Sequence, residues 1–138
     1  RQFGRDYYQR YDYFIPDSSQ ADALFNELKL NAELPLVELK ERQLKSIDNF
    51  TYTDPVDGSV SSNQGVRLQF VDESRIIYRL SGTGTSGATL RVYLQQLETN
   101  TTQHAKNPGD VLKPLGMLAA RYARIEHYTG LTRATAII

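Results

Sequence analysis

Two arginines frame a loop rich in glycine and hydroxyl side chains, and this stretch is the best candidate in the sequence for holding an anion. The segment RLSGTGTSGATLR runs from Arg79 to Arg91. Guanidinium groups bind phosphate through charge-assisted hydrogen bonds, each worth about 1.5–3 kcal/mol. Glycines let the backbone turn through positive φ and bring N–H groups close to a ligand. The residue types therefore predict a phosphate-binding loop.

Between the arginines, hydroxyl and backbone N–H groups supply further donors. We expect the phosphate contacts to come from Arg79, Ser81, Gly82, Thr83, Gly84, Thr85 and Arg91. The alternative is a flexible hairpin whose arginines only face water, as most charged side chains do. That alternative explains the glycines, but it leaves the symmetric placement of the two arginines unexplained.

The same loop matches the G-x-G-x-x-G pattern of dinucleotide-binding and kinase loops. A dinucleotide-binding loop needs a strand before the glycines and a helix after them. Residues 88–94, ATLRVYL, instead alternate in polarity and are rich in β-branched and aromatic types, which favours a strand. A kinase loop needs a lysine strand, a catalytic loop and a metal-binding aspartate downstream, and none of these follows. The sequence thus argues against a nucleotide-binding module.

Strands on both sides of the loop predict a hairpin that folds about Thr85. In that register Arg79 faces Arg91 and Ser81 faces Thr89, all on one face because side chains alternate along strands. The opposite face is wholly apolar and consists of Ile76, Tyr78, Leu80, Leu90, Val92 and Leu94. Like charges directly opposite each other destabilise a hairpin, and an anion between them would reverse that effect. We therefore expect the polar face to bind and the apolar face to pack under helices.

One helix is predicted before the strands. Asp17, Ser18 and Ser19 are competent N-caps, and the helix should end near Asn31. Its apolar stripe at helical spacing consists of Ala21, Leu24, Phe25 and Leu28. At least three strands follow, with the sequences VRLQFVD, RIIYRLS and TLRVYLQQL, and a fourth is expected near residues 49–53.

The tail NPGDVLKPLGMLAARYARIEHYTG predicts a second helix. Asp110 is the expected N-cap, Pro114 should lie in the first turn, and Gly130 should follow the end. Its apolar seam is Val111, Leu115, Leu118, Tyr122 and Ile125. The order of elements predicts an α+β fold, an antiparallel sheet of about four strands with helices packed on one face. Residues 1–16, dense in Tyr and Arg, are expected to form a linker arm from a preceding domain, and residues 17–138 the phosphate-binding domain.

Composition narrows the classes of partner and of chemistry. Sixteen basic residues balance sixteen acidic ones, whereas a nucleic-acid or anionic-membrane surface needs a basic excess. No run approaches the ~18 apolar residues of a membrane span. The chain has no cysteine, and it begins with Arg1 rather than Met. We therefore expect a C-terminal part of a longer cytoplasmic protein, with neither nucleic acid nor membrane as partner.

Catalytic groups are not evident in this segment. We find no nucleophile with an adjacent base, and the two histidines have no neighbouring ligand cluster. The acids of DPVDGS, residues 54–59, could suggest a metal site, but Asp-Pro and Asp-Gly are more often turn formers. The tyrosines at 7, 8, 11 and 13 could stack on a sugar or a base, but packing between domains is the plainer interpretation. We expect the segment to bind, with no catalytic residue and no metal ligand of its own.

The sequence closely resembles the C-terminal domain of α-phosphoglucomutases, in the phosphohexomutase superfamily. RLSGTGTSGATLR carries the most specific part of the resemblance, which is strongest from Asn49 to Tyr93. GRDYYQRYDY resembles the arm that enters that domain, and YTGLTRATAII resembles its terminal segment. The resemblance implies a TATA-binding-protein-like fold and a loop that grips the substrate phosphate through Arg79, Ser81, Gly82, Thr83, Gly84 and Arg91.

The resemblance also implies what the parent protein does. Such a parent is an isomerase, an intramolecular phosphotransferase that interconverts glucose 1-phosphate and glucose 6-phosphate. A phosphoserine in another domain transfers the phosphoryl group, glucose 1,6-bisphosphate is the intermediate and activator, and Mg2+ binds outside this segment. The segment alone should then be inactive, with sugar phosphates and the preceding domains as its partners. The alternative is a non-catalytic relative, a binding or structural protein that kept the fold.

Overall fold

The computed structural model of the chain describes residues 5–32, 43–51, 64–84, 87–98 and 108–138. In chain order its elements are β1 (Arg5–Ile15), α1 (Ser18–Asn31), β2 (Leu44–Thr51), β3 (Gln64–Phe70), β4 (Arg75–Gly84), β5 (Gly87–Glu98), α2 (Pro108–Ala123), α3 (Ile125–Thr129) and β6 (Ala136–Ile137). The strands form one antiparallel sheet in the order β2-β3-β4-β5-β1-β6. The helices pack on one face of it, so the predicted α+β class is confirmed.

Six strands stand where about four were predicted, and β1 is the most consequential addition. The segment predicted as a linker arm pairs with β5 along its length, from Arg5 opposite Glu98 to Ile15 opposite Ala88. Its odd-numbered residues Tyr7, Tyr13 and Ile15 are buried. The alternation was missed because aromatic side chains occupy both faces of the strand, and Tyr8 is 63% exposed. Whether a separate domain precedes the strand stays a prediction.

The helix-covered face of the sheet, called the closed face below, carries the core. Its six predicted apolar residues on β4 and β5 are all buried, with relative exposures between 0 and 7%. The Tyr78 hydroxyl donates a hydrogen bond of 2.6 Å to the Ala119 carbonyl of α2, and burial raises the Tyr78 pKa well above its ordinary value. Helix α1 contributes the predicted stripe of Ala21, Leu24, Phe25 and Leu28, all buried.

Asp17 caps α1 as expected, since its carboxylate accepts a 2.9 Å hydrogen bond from the Ser19 N–H. The C-terminal helix differs from the prediction, because α2 begins at Pro108 and Asp110 therefore lies inside it. Pro114 lies in the helix interior rather than the first turn. The helix also breaks at Arg124, which takes a left-handed φ of 58° before α3. The apolar seam continues across that break, which is why spacing alone suggested one helix.

Two glycines in this region show different uses. Gly130 ends α3 at φ 77°, and its N–H donates to the Glu126 carbonyl at 2.8 Å, as the predicted C-terminal glycine should. Gly116 lies where α2 crosses β1, and an added Cβ would come within 2.7 Å of the Tyr11 ring. The close approach of α2 clamps β1 against the rest of the sheet.

Candidate functional site

Strands β4 and β5 bring the two framing arginines together in the predicted register. Arg79 lies directly opposite Arg91, and Ser81 lies opposite Thr89. The pairing holds along both strands as far as Arg75 opposite Gln95. All of these residues point to the sheet face away from the helices, called the open face below, because the alternate residues are buried on the closed face. The predicted polar face is therefore the open face of the sheet.

At the tip of the hairpin the register shifts between Ser81 and Gly84, so that Gly84 pairs with Gly87. The predicted symmetric fold about Thr85 thus fails by one residue at the tip, as in a β-bulge. Thr85 lies outside the described residues, and of Gly82 and Thr83 the structure describes only the strand backbone. The predicted phosphate contacts of these tip residues stay predictions.

Gly87 has a conformation and an environment that exclude a side chain. Its φ is 102°, which L-residues rarely adopt. An added Cβ would lie 2.8 Å from the Ile15 carbonyl oxygen and 3.0 Å from that of Pro16. The backbone at the start of β5 therefore packs closely against the backbone at the end of β1.

The open face continues past the hairpin onto β1 and β3 and is rich in arginine. A groove of about 500 Å³ runs along it, lined by Tyr8, Gln9, Arg10, Arg67, Arg75, Ile77, Arg79, Tyr93, Leu94, Gln95 and Ile138. The Arg79 guanidinium lies over the Tyr93 ring, 5.6 Å from its centroid, which suits a cation–π contact. Arg79 is thus held in place on the side of the groove.

Two arginines of the open face are paired with aspartates. Arg10 donates from Nε to Asp12 Oδ1 at 2.9 Å and from Nη2 to Oδ2 at 3.0 Å. Arg67 donates to Asp48 in the same two-pronged way, at 3.2 and 2.6 Å. These hydrogen bonds raise the pKa of both arginines above its ordinary value. Both guanidinium groups already have an anionic partner within the chain.

Arg91 differs from these two. Within the part of the chain that the structure describes, its Nε is buried and has no hydrogen-bond partner. The Oε1 of Gln9 shares this property, but it is a neutral acceptor, whereas Arg91 presents a cationic donor. Leaving a buried charged donor without a partner costs more than leaving a neutral one.

Sequence reasoning missed Arg10, Asp12, Arg67 and Asp48 as members of this face. A signal was present, because Tyr8, Arg10, Asp12 and Phe14 share one parity of a strand whose other parity, from residue 11 to 15, is apolar or aromatic. Recognising β1 as a strand would have placed Asp12 beside the arginines.

Neither a metal site nor a membrane span is seen in the described ranges. No group of three or more His, Cys, Asp or Glu side chains there could hold a metal ion. No helix among those residues is long and apolar enough to cross a membrane.

Comparison with known proteins now places this geometry in a family. The family model described as Phosphoglucomutase-1, C-terminal domain, matches residues 5–135. The chain belongs to this phosphoglucomutase family. The match begins at residue 5, where β1 begins, so it covers the whole strand.

Individual phosphoglucomutases are similar to the chain along almost all of its length. Phosphoglucomutase 1, chloroplastic, of Marchantia polymorpha is 41% identical over 137 residues, which is 98% of this chain and 21% of the relative. Phosphoglucomutase-1 of Bos taurus is 39% identical over 145 residues, which is 99% of this chain and 26% of the relative. The chain therefore spans about a quarter of the length of these phosphoglucomutases.

A solved phosphoglucomutase structure shares the fold. The open form of the exocytosis-sensitive phosphoprotein pp63/parafusin of Paramecium superposes with a TM-score of 0.77 at 42% identity. The superposition covers 99% of this chain and 23% of that one. The fold described above is thus that of a phosphoglucomutase C-terminal domain.

Proposed function

We propose that this chain is the phosphate-binding C-terminal domain of a phosphoglucomutase, and that Arg79 and Arg91 hold the phosphate of the sugar substrate that is not reacting. The proposal rests on two observations. The buried Nε of Arg91 has no hydrogen-bond partner among the described residues, and Arg79 lies directly opposite Arg91. Two guanidinium groups facing each other repel, and a phosphate between them turns that repulsion into binding.

The other predicted contacts follow from the position of the hairpin. Ser81 lies two residues beyond Arg79 on the same face, next to the glycine tip. Backbone N–H groups at Gly82, Thr83 and Gly84, with the hydroxyls of Thr83 and Thr85, complete the proposed contacts. A single phosphate fits this arrangement better than a nucleotide, because a strand and not a helix follows the loop.

The parent protein would then interconvert glucose 1-phosphate and glucose 6-phosphate through glucose 1,6-bisphosphate. The reacting phosphate meets a phosphoserine in another domain, while this domain holds the other phosphate at a distance. Binding energy from a remote, non-reacting group positions the reacting centre. A swing of the domain would open and close the cleft between them.

The same proposal has the parent hold Mg2+ outside this segment. The described residues offer no cluster that could hold it, and the proposed site contains arginines and hydroxyls rather than carboxylates. When bound, the ion would neutralise charge on the transferring phosphoryl group. The cytoplasmic location stays a prediction, because the similar proteins include one named cytoplasmic in Bromus inermis and one named chloroplastic in Marchantia polymorpha.

The proposal is tested in the full-length parent with Arg91→Ala. We expect kcat/KM for glucose 1-phosphate to fall roughly 100-fold, since charge-assisted hydrogen bonds are worth about 1.5–3 kcal/mol each and 1.4 kcal/mol is a factor of ten. Thermal unfolding should be nearly unchanged, because the Nε of Arg91 has no hydrogen-bond partner among the described residues. The control is Arg133→Ala, which replaces an exposed arginine outside the groove. This variant should keep the activity of the unchanged parent.

Three outcomes separate the alternatives. Unfolding of Arg91→Ala would show that the residue is structural. Full activity of a folded Arg91→Ala protein would overturn the proposed role. A parent that binds sugar phosphate through Arg91 but shows no turnover would be the non-catalytic relative.

A further inference from the structure

Asp12 is placed where it could neutralise the proposed phosphate site. It lies directly opposite Arg91 on the neighbouring strand, and both side chains belong to the open face. Residues directly opposite each other on one face of an antiparallel pair have Cβ atoms about 4.5–5.5 Å apart, within reach of an ion pair. An aspartate beside an unpaired arginine would ordinarily take it as its partner.

The structure shows a different pairing. Both oxygens of Asp12 are taken by Arg10, two residues earlier on the same strand, at 2.9 and 3.0 Å. The Asp12 side chain is only 15% exposed, so its charge depends on protein partners rather than on water. The Nε of Arg91 meanwhile has no partner among the described residues.

We infer that Arg10 is a positioning residue, which holds the Asp12 carboxylate away from Arg91 and thereby keeps Arg91 available to phosphate. The inference rests on the proposed function. A planar guanidinium fork binds both carboxylate oxygens at once, so the Asp12 carboxylate is oriented by Arg10 rather than by its opposite neighbour.

The backbone around this pair is held on both edges of β1. Arg10 exchanges two hydrogen bonds with Ile138, of 3.1 and 2.9 Å, and Thr135 donates to the Asp12 carbonyl at 2.8 Å. Strand β5 holds the other edge, with Tyr93 opposite Arg10. The C-terminal residues therefore hold in place the strand that carries Arg10 and Asp12. The Arg10–Asp12 ion pair forms without any movement of the sheet.

Without Arg10, Arg91 is the partner that the register leaves for Asp12. Of its other neighbours in the register, Phe14 and Ala136 offer no side-chain donor, and Thr89 and Tyr93 offer neutral hydroxyls, which are weaker partners for a carboxylate than a guanidinium. A half-buried carboxylate that loses its partner takes another donor within reach, because leaving it unpaired is costly. Its new bond to Arg91 would compete directly with phosphate.

The experiment compares four forms of the 138-residue chain in titrations with inorganic phosphate, followed by NMR. Arg10→Gln should raise the Kd for phosphate about fivefold, as expected for one partly exposed ion pair that must be broken. Adding Asp12→Asn to Arg10→Gln should return the Kd to within about twofold of the wild-type value. Arg124→Gln breaks an ion pair with Glu27 that lies outside the groove, and it should leave the Kd within about twofold.

A second readout does not depend on phosphate. The Nε–H proton of Arg91 should exchange with water several-fold more slowly in Arg10→Gln than in the wild type, because Asp12 then accepts it. Asp12→Asn in the same background should restore the faster exchange. This pattern would support the inference even if the wild type bound no phosphate, a result that would count against the proposed function alone.

Two results would overturn the inference. An Arg10→Gln chain with wild-type phosphate affinity and an unchanged Arg91 signal would show that Asp12 stays away from Arg91 unaided. Weakened binding that Asp12→Asn does not restore would show that Arg10 contacts the phosphate itself or supports the strand, rather than acting through Asp12.

Discussion

The two faces of the sheet differ in the kind of side chain they carry, because one is apolar and buried and the other carries charged residues. On the closed face every predicted apolar residue is buried, and the buried Tyr78 hydroxyl is satisfied by the Ala119 carbonyl. On the open face five described arginines lie on four strands, and two of them are neutralised by aspartates. The closed face is stabilised mainly by the burial of apolar side chains. The Nε of Arg91, by contrast, has no hydrogen-bond partner among the described residues, so stability and binding should respond to different substitutions.

The largest expected effect lies on the closed face. Leu90→Ala should lower the free energy of unfolding by about 2–5 kcal/mol, because Leu90 is fully buried and its removal leaves a cavity. Ile77→Ala, on the neighbouring strand but on the open face, is the matched control and should cost clearly less. Urea unfolding of both variants measures the difference, and equal losses would contradict the distinction between the faces.

Gly87 lies at the start of β5, where the β5 backbone comes close to the end of β1 beside the loop. Gly87→Ala should cost about 2–3 kcal/mol, since it combines an unfavourable positive φ with a contact of Cβ to backbone. Gly130→Ala carries a positive φ with nothing within 4 Å of the added Cβ. It should therefore cost only about 1 kcal/mol, the backbone part alone. Similar losses of unfolding free energy in the two variants would show that the backbone of Ile15 and Pro16 shifts to accommodate the added Cβ.

A smaller effect appears at high pH. Burial raises the pKa of Tyr13, on the closed face, to about 12. Since the unfolded chain releases this proton near pH 10 and the folded chain does not, stability is lost as the pH rises from about 10 to 12. Tyr13→Phe should make the fall of unfolding free energy with pH less steep.

Much of the closed face could be predicted because alternation and helical spacing are local. The opposition of Arg79 and Arg91 followed from one hairpin, and the stripe of α1 followed from four residues in one helix. Strand β1 was missed because tyrosines on both faces hide its period. The Arg10–Asp12 pair could not be placed beside Arg91 without knowing that β1 lies next to β5, which is a contact between distant parts of the chain.

The central claim is that the arginine pair and the glycine tip hold a single sugar phosphate. The direct test is an NMR titration of the 138-residue chain with glucose 1-phosphate. We expect the largest shifts on the amides of Ser81, Gly82, Thr83 and Gly84 and on the Arg91 Nε–H, and we expect glucose 6-phosphate to shift the same signals. Largest shifts elsewhere, such as around Arg75 at the far end of the groove, would contradict it.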